Sequence, residues 1–321
     1  MTPSRVAAVS VASGMGGVRL VGESLALVVL LAATWVIAGI AVQGAGVGVV
    51  SAGRAGFAAL GLLLLVLLSS RGGGRSDPPA SVRRLPRWQL AVLSVTGVAG
   101  YTLLSTVAIA LAGPAVPSLI LALSPVVVLV LESALTKARV RPVVLVATVV
   151  AIVGAVLYVV PRPVGAPGSS TAWGVLAAVG AMLSMAAYGL LFAHGNRGRR
   201  GPMAPRILPI FALGSAPLML WAVVEVSAGE GVELVTIGVL ALLGLGIYVP
   251  AYLVQHRIIL SAGPSFAALL GLAVPPLVGV ASAAVGLSAL PGPLQVVGIT
   301  LTLAGMLAVI RMKLQVAPAE S

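Results

Sequence analysis

Long apolar runs, broken by short polar, proline-bearing or arginine-bearing segments, fill the chain. A helix that crosses a bilayer needs roughly 20 mostly apolar residues. That template fits ten times, at about 24–42, 47–69, 89–111, 116–135, 142–161, 173–193, 207–226, 234–256, 264–287 and 294–311. The longest break runs from Arg71 to Trp88, carries Asp77-Pro78-Pro79 and five arginines, and is too short for a domain. Residues 1–22, with Arg5 and Arg19, read as a cytoplasmic N-terminal tail, and 313–321 as a C-terminal one. A cleaved secretory signal does not fit. The first apolar run starts only after Glu23, and no polar, cleavable segment follows it.

Two stretches repeat. Ala112-Gly113-Pro114 opens an apolar helix with Pro125 about two turns further on, and Ala262-Gly263-Pro264 opens another with Pro275 in the same place, 150 residues later. Self-similarity at a fixed offset marks a duplicated unit. The copies open the fourth and ninth runs, so the unit is five crossings long. An odd number of crossings turns the second copy upside down. The pattern therefore predicts an all-α membrane protein of ten transmembrane helices in two inverted five-helix repeats, 23–161 and 162–312. In secondary transporters built this way the solute site lies near mid-membrane, where the repeats meet.

Composition supports a lipid-facing surface. Of the 321 residues, 60% are hydrophobic and 8% charged, whereas a soluble domain carries about a quarter charged residues. The net charge of +12 raises the question of nucleic acid. Its distribution answers it. With the N-terminus inside, 17 Lys and Arg fall on inner segments and only Arg162 on an outer one. Basic residues favour the cytoplasmic side, so the charge is a topology signal and no nucleic-acid partner is implied. The expected location is the inner (plasma) membrane, with both termini cytoplasmic. The chain has no cysteine, which excludes a disulfide frame or thiolate metal site.

One charge remains inside a run. Arg54 lies seven or eight residues into the second helix, roughly 10–12 Å deep at 1.5 Å per residue. A central Arg costs on the order of 2.5–3.5 kcal/mol on insertion scales. It is either a fixed cation for an anionic group on a solute or a side chain snorkelling to the interface. Trp35 lies too deep in the first helix for an interfacial belt and becomes a cavity-wall candidate. Tyr101, Tyr188 and Tyr252, and Gln255 beside the last, are further candidates to bind substrate, since a buried hydroxyl wants a partner. Ser105 and Thr106 are expected to bond their own helix backbone. Pro125 and Pro275 each remove a backbone donor within a helix and are hinge candidates. Glu132 is a weak candidate for proton coupling, with a surface ion pair as the alternative; His194 and His256 are assigned to inner helix ends. No metal cluster, phosphate loop or nucleophile elbow occurs, so neither an enzyme nor a cofactor is expected.

The sequence resembles the EamA-type branch of the drug/metabolite transporter superfamily over about residues 23–312. Carrying the resemblance are Thr34-Trp35, Arg54 followed by Ala55-Gly56-Phe57-Ala58-Ala59-Leu60, and the two Ala-Gly-Pro stretches with Pro125 and Pro275. Ala187-Tyr188, Ala251-Tyr252-Leu253, Val149–Leu157 around Gly154, and Gln295–Leu307 around Gly298 and Gly305 complete it. The resemblance implies alternating-access movement of small organic solutes such as amino acids, related metabolites or drugs, with export the expected direction. Family members often carry Gly-Glu at the end of each repeat's fourth helix. Ala138 and Ala289 stand there instead, which motivates an alternative: a transport-inactive membrane interaction or lipid-handling protein on the same fold. The predicted partners are a small-molecule solute and the lipid bilayer; the sequence leaves oligomeric state open.

Overall fold

The computed structural model describes residues 3–72, 85–136, 142–159, 170–196, 201–229 and 231–316. Each element among them is helical: α1 (Pro3–Gly44), α2 (Val47–Gly72), α3 (Arg87–Ala112), α4 (Ala115–Leu121), α5 (Ser124–Thr136), α6 (Pro142–Val159), α7 (Ser170–Gly195), α8 (Ala204–Ser227), α9 (Leu234–Ala262), α10 (Pro264–Leu270), α11 (Val274–Ala284) and α12 (Pro293–Val316). The stretch read as an N-terminal tail is helical from Pro3 and continuous with the first apolar run.

Among the described residues, seven stretches are long and apolar enough to cross a membrane: Arg19–Gly44, Val47–Ser70, Arg87–Ala112, Thr171–Gly195, Ala204–Ser227, Leu234–Ala262 and Phe266–Ala284. Three shorter apolar helices, Ala115–Val128, Leu145–Tyr158 and Pro293–Gly305, accompany them. Two runs expected to be single helices, 116–135 and 264–287, are each broken. The first tightens at Ala122-Leu123 and restarts as α5; the second passes through a 3₁₀ turn, Gly271–Ala273, before α11. Proline is the reason. Pro125 cannot donate to the Leu121 carbonyl four residues back, and the Ser124 hydroxyl donates to it instead. Pro125 and Pro275 are thus each the second residue of a new helix, where a missing N–H costs nothing.

The duplicated motifs share backbone detail. Gly113 (φ 71°, ψ 169°) ends α3 and Gly263 (φ 90°, ψ 159°) ends α9, a conformation open essentially to glycine alone. The two helices they end each contain a π turn, Val95–Gly100 in α3 and Leu242–Tyr248 in α9.

The packing is also paired. Helix α2 lies along α8, α6 along α12, and α3 along α7, while α1 crosses α9; α1 meets α11 as α5 meets α7. The α6–α12 seam is backbone on backbone. A Cβ added to Gly298 would sit 2.6 Å from the Gly154 carbonyl oxygen, and one on Gly305 2.7 Å from that of Ala147. Small residues allow such approach between apolar helices. Across the seam Thr302 donates to the Ala151 carbonyl at 3.3 Å, and Gln295 Nε2 to that of Tyr158 at 3.2 Å. The opposite faces expose Val146, Val149, Val153, Val156 and Val297, an apolar surface suited to lipid.

Candidate functional site

Three aromatic residues define the centre of the molecule. Tyr248, Tyr252 and His256 fall at i, i+4 and i+8 on α9 and share one face. The Tyr248 and Tyr252 rings stack with centroids 5.3 Å apart and planes 20° off parallel, and Phe211 of α8 meets Tyr252 edge-on at 4.8 Å. The π turn that ends at Tyr248 shifts the helix phase just before this ladder begins.

The ladder forms one wall of a cavity of about 100 Å³. Trp35 from α1, Tyr101 from α3, Ser118 from α4 and Gln255 from α9 line it together with Tyr248 and Tyr252. At ~30 Å³ per water this space holds about three waters, well short of the ~300 Å³ at which ligand pockets begin. The walls are therefore drawn together, and a metabolite would need them to part.

Arg54 stands behind the cavity wall, at 0% exposure. Its Nε and Nη2 donate to the Tyr248 hydroxyl, the first at 2.9 Å, and Nη1 donates to Thr106 Oγ1 at 2.7 Å. Thr106 in turn donates to the Thr102 carbonyl at 2.7 Å. Ser105 also bonds that carbonyl, at 3.0 Å. The guanidinium carbon lies 5.2 Å from the Tyr248 ring centroid, but its bonds to the hydroxyl put it at the tip of the ring rather than over the face, so the charge is met by oxygen. A guanidinium has five N–H donors. Three are used here, all on neutral oxygens, and among the described residues no carboxylate pairs with it. Snorkelling is not what this side chain does.

One turn beyond Tyr252, His256 is also fully buried. Its Nδ1 donates to the Tyr252 carbonyl at 2.6 Å, which leaves Nε2 as acceptor in the neutral ring; Tyr188 of α7 donates its hydroxyl to Nε2 at 2.5 Å. The carbonyl can only accept, so it assigns the tautomer. Phe192, one turn after Tyr188, packs edge-on against the imidazole at 4.3 Å.

Of the residues singled out from the sequence, Trp35, Tyr101, Tyr252 and Gln255 line the cavity, while Arg54 and Tyr188 back it, through Tyr248 and His256. Met185 and Gly189, on either side of Tyr188, do reach the cavity. Pro125 and Pro275 sit at the two helix breaks beside it. The Glu132 side chain and Ala138 lie outside the described residues; Ala289 is in the segment between α11 and α12. Two residues gain importance that the sequence did not give them. Tyr248 holds Arg54. His256 is not at a helix end, because α9 continues to Ala262 past Arg257; its i+4 step from Tyr252 was the available signal. Glu225, near the end of α8, accepts from the Gly48 and Val49 amides at 2.8 and 2.9 Å and so caps the N-terminus of α2.

Among the described residues, an all-helical architecture with several apolar helices of membrane-crossing length is that of a multi-pass membrane protein. Residues 20–160 match the EamA-like transporter family, part of the drug/metabolite transporter superfamily. This is a family of transporters and not of enzymes. No curated protein matches the chain. Among solved structures, one reported only as a crystal structure of a protein aligns with a TM-score of 0.63 at 20% identity, covering 92% of this chain and 99% of its own; at that identity the likeness is one of fold.

Proposed function

We propose that the chain is a secondary transporter that moves small organic solutes, amino acids or related metabolites, outward across the plasma membrane by alternating access. In this reading it crosses the bilayer ten times, as two inverted repeats (23–161 and 162–312) with both termini cytoplasmic. The breaks after α4 and α10 then lie within the fourth and ninth crossings. The paired packing supports it: exchanging the first five crossings for the second five maps α2–α8 and α6–α12 onto themselves, α3–α7 onto α1–α9, and α5–α7 onto α1–α11. The shared glycine conformation at 113 and 263 and the paired π turns point the same way.

The observation that carries the functional reading is Arg54. A cation at membrane depth is costly, and neutral oxygens alone are weak compensation for it. Two N–H groups have no acceptor among the described residues. A solute carboxylate or phosphate entering beside Tyr248 and Tyr101 would complete the set, with Trp35, Tyr188, Tyr252 and Gln255 shaping the rest of the site and Pro125 and Pro275 at the flexing points. Purified protein in liposomes, loaded with a panel of amino acids and related metabolites, tests this. Counterflow is expected for a solute with an anionic group, and Arg54→Gln is expected to weaken anionic solutes more than neutral ones. Folded protein with no counterflow for any solute would overturn the transporter reading; equal loss for both solute classes would remove Arg54 from the site.

A further inference from the structure

The buried imidazole lies between two spaces. On α9, Gln255 and Ile259 line the central cavity, whereas Arg257 and Leu260 line a second, more open one of about 570 Å³, together with Arg19, Glu23, Met203 and Arg206. His256 lines neither and falls on α9 midway between Tyr252, which lines the first, and Leu260, one turn further on, which lines the second. Tyr188 bonds Nε2 from α7, and Phe192 covers the ring one turn further on. All three side chains have 0% exposure. A helix-to-helix hydrogen bond between two titratable groups is an unusual choice for a partition that leucines could fill.

We propose that His256 and Tyr188 form a proton-operated latch between the two cavities, with His256 the residue that takes up the coupling proton. This rests on the transporter reading. In the neutral state the Tyr188 hydroxyl donates to the Nε2 lone pair and ties α7 to α9. A proton arriving from water in the second cavity adds to that lone pair. Nε2 becomes a donor, the bond reverses so that the Tyr188 oxygen accepts and its own proton is left without an acceptor, and the imidazolium is left among aromatic rings. No bond to carbon changes; the proton is carried and returned. A charge so placed is strongly disfavoured without solvent, so protonation draws water in and parts α7 from α9. The latch thereby links proton uptake to opening toward the second cavity.

The charged and titratable groups around His256 do not offer a competing partner. Tyr252 precedes it on its own helix and uses its carbonyl as described. Arg54 of α2 is at the far end of the ladder, on Tyr248. On α1, Glu23 pairs with Arg19 at 3.1 Å and with Arg257 at 3.5 Å. Arg206 of α8 lines the second cavity, and α10 carries no titratable residue. His194 of α7 is exposed.

The chain's lack of cysteine makes the test direct. Gly189 faces the cavity next to Tyr188, and a Cβ there meets nothing within 4 Å. Gly189→Cys gives a single thiol, which a membrane-impermeant maleimide reaches from the Arg257 side of oriented vesicles. Rates at pH 5.5 and 7.5 are divided by those of the denatured protein to remove the thiol's own titration. The latch predicts normalised labelling at least tenfold faster at pH 5.5. In His256→Gln, whose amide can still accept from Tyr188, labelling should be slow at both pH values. In Tyr188→Phe, which keeps the packing and removes the bond, it should be fast at both. Labelling independent of pH in the parent, or an unchanged pH response in His256→Gln, overturns the proposal. If one variant fails to fold, the other decides. A solute panel with no counterflow beside an intact His256-dependent response would sink the transporter reading alone; counterflow beside flat labelling would sink the latch alone.

Discussion

Tyr248→Phe should destabilise the protein more than Arg54→Met, although it removes a single oxygen and the latter a whole charged head. The Tyr248 hydroxyl accepts two of the three bonds Arg54 makes. Deleting it strands the Nε and Nη2 donors of a cation that has no exposure to water. Bonds to charged groups are worth ~1.5–3 kcal/mol, and breaking a buried charged pair from one side costs ~3–5 kcal/mol, so a loss of about 3 kcal/mol is expected. Arg54→Met leaves a neutral hydroxyl unpartnered, at ~1–2 kcal/mol. It also lifts the ~2.5–3.5 kcal/mol of holding a cation at that depth, and Met fills much the same volume. The net change is a gain of roughly 0.5–2.5 kcal/mol, and the double variant should resemble Arg54→Met, giving a coupling of ~3 kcal/mol. Reversible denaturant unfolding in micelles, followed by tryptophan fluorescence, measures all four corners of the cycle. An Arg54→Met loss larger than that of Tyr248→Phe would refute the reasoning. The guanidinium would then be a net stabiliser of the fold, and its presence would need no solute.

Other consequences are as direct. Gly298→Ala pushes a methyl to 2.6 Å from the Gly154 oxygen, so α6 and α12 must separate by nearly 1 Å, an overpacking cost of ~1–3 kcal/mol; an unchanged thermal midpoint in micelles would contradict the seam. Glu225→Gln removes the charge facing the α2 N-terminus, worth ~0.3–1 kcal/mol. Hydrogen exchange at the Gly48 and Val49 amides should quicken while distant amides hold, and no local change would argue against the cap. Trp35→Ala opens the cavity wall, and counterflow of any transported solute should need at least tenfold more of it; because Trp35 is buried in the core, the variant should also lose ~3–5 kcal/mol of stability.

The apolar runs made the helices and most of their ends legible, because membrane-length segments declare themselves by composition alone. What the sequence concealed is where single residues act at a distance. Pro125 and Pro275 were visible, but their effect was read as bending within a helix; the carbonyl they strand at i−4 makes it a break and restart. The π turns at Val95–Gly100 and Leu242–Tyr248 leave no trace in hydropathy. Arg54 was conspicuous, yet its partner Tyr248 is 194 residues away and no local pattern links them. His256 was misassigned because Arg257 looks like the edge of the membrane, whereas α9 carries on for five more residues. Local physics wrote the elements, and tertiary contact chose the chemistry.

The Arg54–Tyr248 pair also sets a problem of timing. During synthesis the arginine enters the bilayer while the tyrosine that receives it has yet to be translated, and Glu225, which caps the start of α2, is equally late. Until then the early segment carries an unmet charge and an open helix end. The amino-terminal half expressed by itself should therefore be a substrate for membrane quality-control proteases, and the two halves made as separate polypeptides should protect each other. Maturation of this protein is a delayed event, finished only when its last third has left the ribosome.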